Sequence, residues 1–405
     1  MMNRVSPVLI IIVLFIVILF EGSVISGNNP LSALSLFGNQ SSESQIEAYA
    51  NEILRVCESD RYRPTCYDRE IPKLMDSISM EDAFKVTRVV QDNDNEYPYC
   101  HVLAHELSAR EVIKNPTGWK DVVSRCPSNM CSNGCLHGGF QERFREEVFT
   151  AEEVIALKPE LESLCEKREN WNPTGLEQAS CYHALGHLTQ YITGAETDVS
   201  AALCDDIARK PDGRDYRQLC YDGVFMQLFQ PLEPEDFALI LGKEIEKDEV
   251  DSFCDQFEGR QKGSCVSESW PLFRSDLLSD PKNLVEFCSR SEKSEEDRCY
   301  LALIYVLTAQ FSLDVDKIGN YCSGLPDHRK GQCFANAASR MIETDSRNIS
   351  SATEFCSKVS TDNDKDACFQ ELIFYSTYNF HAGSKENLEL CNGLPEPWKS
   401  ECQYK

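Results

Sequence analysis

The sequence predicts an all-α fold: an α-solenoid of about nine to ten helical hairpins, each closed by a disulfide, behind an N-terminal membrane or signal segment. Three observations carry this. The chain has 405 residues, and nearly all of its 20 cysteines fall into pairs that bracket short polar loops. From Cys254, the first cysteine of each pair recurs at Cys288, Cys322, Cys356 and Cys391, at intervals of 34, 34, 34 and 35 residues. A period in that range marks stacked helical units. The residue before the cysteine is aromatic at Phe253, Phe287, Tyr321 and Phe355, as a packed helix end requires.

The N-terminus comes first in order. Arg4 precedes an unbroken apolar run from Val8 to Phe20. That is shorter than the roughly 20 residues of a membrane span and suits a signal-peptide core. Val24-Ile25-Ser26 offers a cleavage site before Gly27. If uncleaved, residues 5–21 anchor the chain in a membrane with Arg4 on the cytoplasmic side. Either outcome makes residues 27–405 extracytoplasmic, and an even, large set of cysteines fits such an oxidising space. Residues 1–26 are therefore read as signal peptide or anchor and residues 27–43 as a flexible linker rich in Gly, Ser and Asn. Residues 44–253 are irregular hairpin repeats and 254–405 regular ones. Asn39-Gln-Ser41 and Asn348-Ile-Ser350 are glycosylation sequons. The formal charge of −26 argues against a nucleic-acid partner, which needs clustered Lys and Arg. The acidity reads as a well-solvated surface.

Ser44-Gln-Ile-Glu47 has the form of a capping box, opening a helix with Ile46, Tyr49, Ile53 and Leu54 on one face. The hairpin unit then recurs. A short helix ends in a cysteine, a polar loop follows, and a second cysteine opens a longer helix, as in the apolar run from Cys299 to Leu307. Asp280, Asp314 and Asn348 are placed to cap the short helices, with Pro281 at a first helical position. The pairs are Cys57/Cys66, Cys126/Cys135, Cys165/Cys181, Cys204/Cys220, Cys254/Cys265, Cys288/Cys299, Cys322/Cys333, Cys356/Cys368 and Cys391/Cys402. Because they flank solvated loops such as Ser289–Arg298, they read as disulfides, not as a soft-metal store. In the chain-entropy account a loop of this size stabilises by roughly 3 kcal/mol.

Cys100 and Cys131 are left over. Arg88-Val89-Val90 aligns with Arg55-Val56-Cys57, which puts Val90 in a first-cysteine slot and Cys100 in the second. A Cys100–Cys131 bridge between neighbouring hairpins is the expectation; other pairings among Cys100, Cys126, Cys131 and Cys135 stay open.

This period and cysteine placement resemble the tetratricopeptide and Sel1-like repeat class, especially its disulfide-stapled secreted members. The resemblance covers about residues 44–405, most clearly 254–405, without the usual Trp, Leu-Gly and Tyr signature positions. It implies a right-handed superhelix with a concave interaction face, and it supplies no catalytic residues.

The chemistry lies in three phrases: Cys100-His101-Val-Leu-Ala-His105, Cys135-Leu-His137-Gly-Gly and Cys181-Tyr-His183-Ala-Leu-Gly-His187. Chance placement of the chain's histidines gives about a tenth of one i, i+4 pair, counted as a template match. Here there are two, His101/His105 and His183/His187. Residues four apart share a helix face, so both imidazoles can reach one ion. A helix start also disfavours the imidazolium form, leaving the neutral ligand. If successive hairpins stack, His101, His105, His137, His183 and His187 face one pocket and form a candidate transition-metal site. Gly138, Gly139 and Gly186 permit close helix approach, and Glu106, Glu142 and Asp222 are candidates for coordination or support. With the thiols in disulfides, imidazole and carboxylate point to zinc, copper(II) or iron. Five histidines exceed one tetrahedral zinc, so one supports the others or two ions bind. His328, in a loop, and His381, in a late connection, read as surface residues.

The sequence is unlike a zinc-protease helix, because no glutamate follows His101, and unlike a covalent haem site, because His137 comes one residue late after Cys135. No reaction, substrate or catalytic residue is named by it. The competing reading is a non-enzymatic scaffold that binds an extracellular protein partner, with structural histidines. A catalytic or transport site needs the histidines to converge around a cavity with an open approach; a scaffold predicts each one hydrogen-bonded within its own hairpin.

Overall fold

The structure, a computed structural model, describes residues 41–404 apart from 128–129, 145–148 and 233. The signal or anchor segment, most of the linker and the Asn39 sequon lie outside the described residues. Among the described residues no helix is long and apolar enough to cross a membrane.

The fold is all-helical. In chain order the helices are α1 (Glu43–Cys57), α2 (Arg63–Glu70), α3 (Met80–Asn93), α4 (His101–Lys114), α5 (Trp119–Ser124), α6 (Gly134–Phe144), α7 (Ala151–Leu164) and α8 (Gly175–Ile192). There follow α9 (Thr197–Ile207), α10 (Arg217–Phe229), α11 (Pro234–Leu239), α12 (Val250–Cys254), α13 (Gly259–Glu268), α14 (Arg274–Ser279), α15 (Pro281–Cys288) and α16 (Glu296–Gln310). The last are α17 (Val315–Ser323), α18 (Asp327–Thr344), α19 (Ile349–Ser357), α20 (Asp362–Tyr378), α21 (Lys385–Gly393) and α22 (Trp398–Tyr404). The described residues form no strand; two isolated bridges, Arg168–Trp171 and Arg209–Asp215, pin the two longest hairpin loops.

Ten disulfides form, with Cα–Cα separations from 4.7 to 5.7 Å, and they are the ten expected, Cys100–Cys131 included. Val90 does fill the buried slot that a cysteine holds elsewhere. Three local expectations are corrected. The first capping box is Ser42 with Gln45, so α1 opens at Glu43, earlier than the Ser44–Glu47 reading. The second cysteine lies inside its helix in most hairpins, although Cys100 is the cap of α4 and Cys135 the second residue of α6. In α8 the capping box Thr174–Glu177 begins the helix well before Cys181, because two reciprocal bonds to free N–H groups fix the start wherever that pattern falls. Asp280 and Asp314 cap their helices as expected, but the Asn348 amide donates to the Met341 carbonyl and caps nothing.

The longer helices form the inner layer. α4 packs on α6, α6 on α8, α8 on α10, and the series runs through α13, α16 and α18 to α20. One continuous apolar core underlies them. The stack curls until distant turns meet: α20 touches α8, and α18 touches the turn at residues 131–133. Arg88 pairs with Asp345 across 257 residues of chain, Arg347 pairs with Asp92, and the Tyr99 hydroxyl donates to the Ala309 carbonyl at 3.1 Å. The α3 end is thereby fastened to the far side of the coil.

Candidate metal centre

The inner helices approach closely at the histidines, and glycines permit it. A Cβ on Gly134 or Gly138 would lie 2.4 or 2.3 Å from the backbone carbonyl oxygens of His101 or His105. A Cβ on Gly186 would lie 2.0 Å from the Cys220 carbonyl, and one on Gly223 2.0 Å from that of His183. Backbone therefore rests on backbone where α4 meets α6 and where α8 meets α10. That contact draws side chains of separate hairpins into one cluster.

All five predicted histidines converge. The His101 and His105 Nε2 atoms are 3.1 Å apart, and so are those of His183 and His187. His137, on α6 between the two pairs, has ring centroids 5.0 and 5.4 Å from His101 and His105 and 5.5 Å from both His183 and His187. His101, His105 and His137 each offer a ligand nitrogen, all within 4.8 Å of one another. Two imidazoles on one tetrahedral zinc, at about 2.0–2.1 Å each, stand about 3.3 Å apart, so the spacing within each pair suits shared coordination.

The outer ring nitrogens are held by oxygen acceptors. His101 Nδ1 donates to the Cys131 carbonyl at 3.1 Å and His187 Nδ1 to Gln227 Oε1 at 2.7 Å, while the His183 ring meets the Leu219 carbonyl. Such bonds fix the tautomer and turn the free lone pair inward. The Cys131 carbonyl is itself set by an unusual turn. Cys131, Ser132 and Asn133 all have positive φ, at 53°, 47° and 57°, a left-handed conformation that costs non-glycine residues energy. The Cys100–Cys131 disulfide ties this turn to the residue before His101.

Burial pushes His101 down to about 3, reinforced by the His105 ring beside it. It also holds His137, His183 and His187 below the ordinary imidazole range, with neighbouring rings adding to the effect at His137 and His183. These rings stay neutral, the form that binds metals. A helix start also disfavours the imidazolium form. His101 does open α4, but His183 sits two turns inside α8, so desolvation and not the helix dipole governs it.

The carboxylate candidates do not join the triad. Glu106 faces outward and pairs with Arg110 at 2.6 Å. Asp222 is taken by Arg298 and Ser264, each at 2.6 Å, and by Gln218 at 3.0 Å. His328 belongs to the first turn of α18 and not to a loop, and both it and His381 are exposed. Sequence reasoning missed Gln227, the Cys131 and Leu219 carbonyls, and Gly223. Gly223 carried a readable signal, since it follows Cys220 by three residues as Gly138 follows Cys135. The carbonyls carried none, because backbone atoms leave no residue-type trace.

No protein-family model, curated protein or solved structure matches this chain.

Proposed function

We propose that this chain is an exported, disulfide-stapled α-solenoid that binds a transition metal, with His101, His105 and His137 as the ligands of one ion. The observation that carries the reading is the meeting of three imidazoles from two hairpins within 4.8 Å. Hydrogen-bonding histidines of a pure scaffold would have stayed within their own hairpins. Export is supported by ten disulfides and the absence of free cysteines among the described residues, which fits an oxidising space. With no thiolate to offer, the site suits zinc, copper(II) or iron. A three-histidine ion keeps a position open for water, so the centre is equipped to activate it if the protein is a catalyst.

The test is elemental analysis of the oxidised chain, secreted without a His tag, beside His101→Ala/His105→Ala. The expected result is at least one equivalent of zinc, copper or iron, falling in the variant. A folded, metal-free protein that takes up none on titration overturns the reading in favour of a protein-binding scaffold.

A further inference from the structure

His183 and His187 remain outside the triad, and their geometry carries more. Their Nε2 atoms face each other at 3.1 Å. An amide oxygen only accepts, so the 2.7 Å contact to Gln227 Oε1 puts the His187 proton on Nδ1 and leaves a lone pair on Nε2. His183 Nε2 faces that lone pair at the same 3.1 Å spacing as the His101–His105 pair, a separation that suits shared coordination of one ion. A divalent ion satisfies both nitrogens at once. The triad's ion is not placed to do so, because the 4.8 Å ligand group does not extend to this pair.

We propose that His183 and His187 hold a second divalent transition-metal ion, so that the cluster is a two-ion centre with His137 between the ions. This rests on the metal reading of the triad. Two imidazoles leave about half of a four-coordinate ion's positions to oxygen ligands, either water or a substrate oxygen. Two such ions side by side suit chemistry in which one oxygen attacks and another leaves. Gln227 is the positioning residue of the second ion: its side chain is buried, its oxygen fixes the His187 tautomer, and its Nε2 has no hydrogen-bond partner.

The test is zinc content per chain after metal stripping, reloading and removal of loose metal, on the oxidised full chain. Wild type should hold two equivalents and His183→Ala/His187→Ala one. Gln227→Glu, which can only accept, should keep two, whereas Gln227→Leu should weaken the second equivalent 10–100-fold, the usual cost of losing such a support. One equivalent in wild type overturns the second ion and leaves the triad standing; none overturns both. Two equivalents in His183→Ala/His187→Ala also overturn the proposal. If that variant does not fold, the wild-type count and the Gln227 pair decide: equal zinc content and affinity in Glu and Leu variants, or a single equivalent in wild type, rejects it.

Discussion

Where α4 meets α6 and where α8 meets α10 the inner helices touch through backbone, whereas the glycines of α13 and α18 meet side chains at the start of the next inner helix. In the first region a Cβ on Gly138, Gly186 or Gly223 would collide with a carbonyl of the facing helix. In the second, a Cβ on Gly263 would come 3.1 Å from the Glu295 Cβ, and one on Gly331 3.0 Å from an Asp364 carboxylate oxygen. The same disulfide-closed hairpin serves both. Where α4 touches α6, neighbouring hairpins bring imidazoles together. In the later region α16 and α18 instead carry Tyr305, Arg340 and Glu343, paired among themselves. The regular 34-residue spacing belongs to the region without the histidines, and the irregular loops to the region with them.

This contrast can be broken in four ways. Removing a disulfide has the largest expected effect. Cys100→Ala/Cys131→Ala and Cys322→Ala/Cys333→Ala should each cost about 2–5 kcal/mol in denaturant unfolding. Only the first should also lower metal affinity, since only it frees the carbonyl that orients His101. Equal metal binding in both would dissolve the distinction between the regions. Next comes Gly186→Ala, which must push α8 from α10 and should cost about 1–3 kcal/mol, with weaker metal binding. Gly263→Ala brings a Cβ 3.1 Å from the Glu295 Cβ, a tight contact short of a backbone collision, and gains helix propensity, so it should fall within about 1 kcal/mol of wild type by thermal melting.

The ring-closing pair sharpens the comparison through pH. Burial opposes ionisation of Asp345, but the hydrogen bonds and charge of Arg347, with the charge of Arg88, outweigh it and hold the carboxyl below its usual range. A depressed folded value means that the stability is fully present above the unfolded carboxylate value, about 3.9. It is lost as pH falls through the folded value. Asp345→Asn should therefore cost about 1.5–3 kcal/mol at pH 7, on the scale of a charged hydrogen bond. The difference from wild type should shrink in acid melts; a gap unchanged at pH 2 would show that the pair does not close the ring. The smallest effect is expected at exposed His328, where Ala should change stability by less than about 0.5 kcal/mol and leave metal content unaltered.

The cysteine scheme was legible because loop-bracketing pairs leave little choice, and Val90 exposed the one hairpin that lacks its own bridge. The cysteines are poor landmarks for helix starts, whereas Thr174 and Glu177 spell out a capping box in the sequence. The histidine pairs were legible within a helix, since a spacing of four needs no tertiary knowledge. Their convergence depended on an assumed stacking. The closure by Arg88 and Asp345 joins residues 257 apart with no local pattern to announce it. Gln227 stayed hidden because glutamines are common and its role exists only opposite His187.

The left-handed turn at Cys131 gives the centre a sequence of events in time. The bond to Cys100 ties its carbonyl to the residue before His101, so on the proposed metal reading the site would mature only after oxidation. A chain still reduced would present competing thiolates, which bind the same ions without the imidazole geometry. On that reading folding would act as a checkpoint on loading. The reduced chain exposed to metal should gather it promiscuously, and the oxidised chain should take it selectively, at the histidines alone.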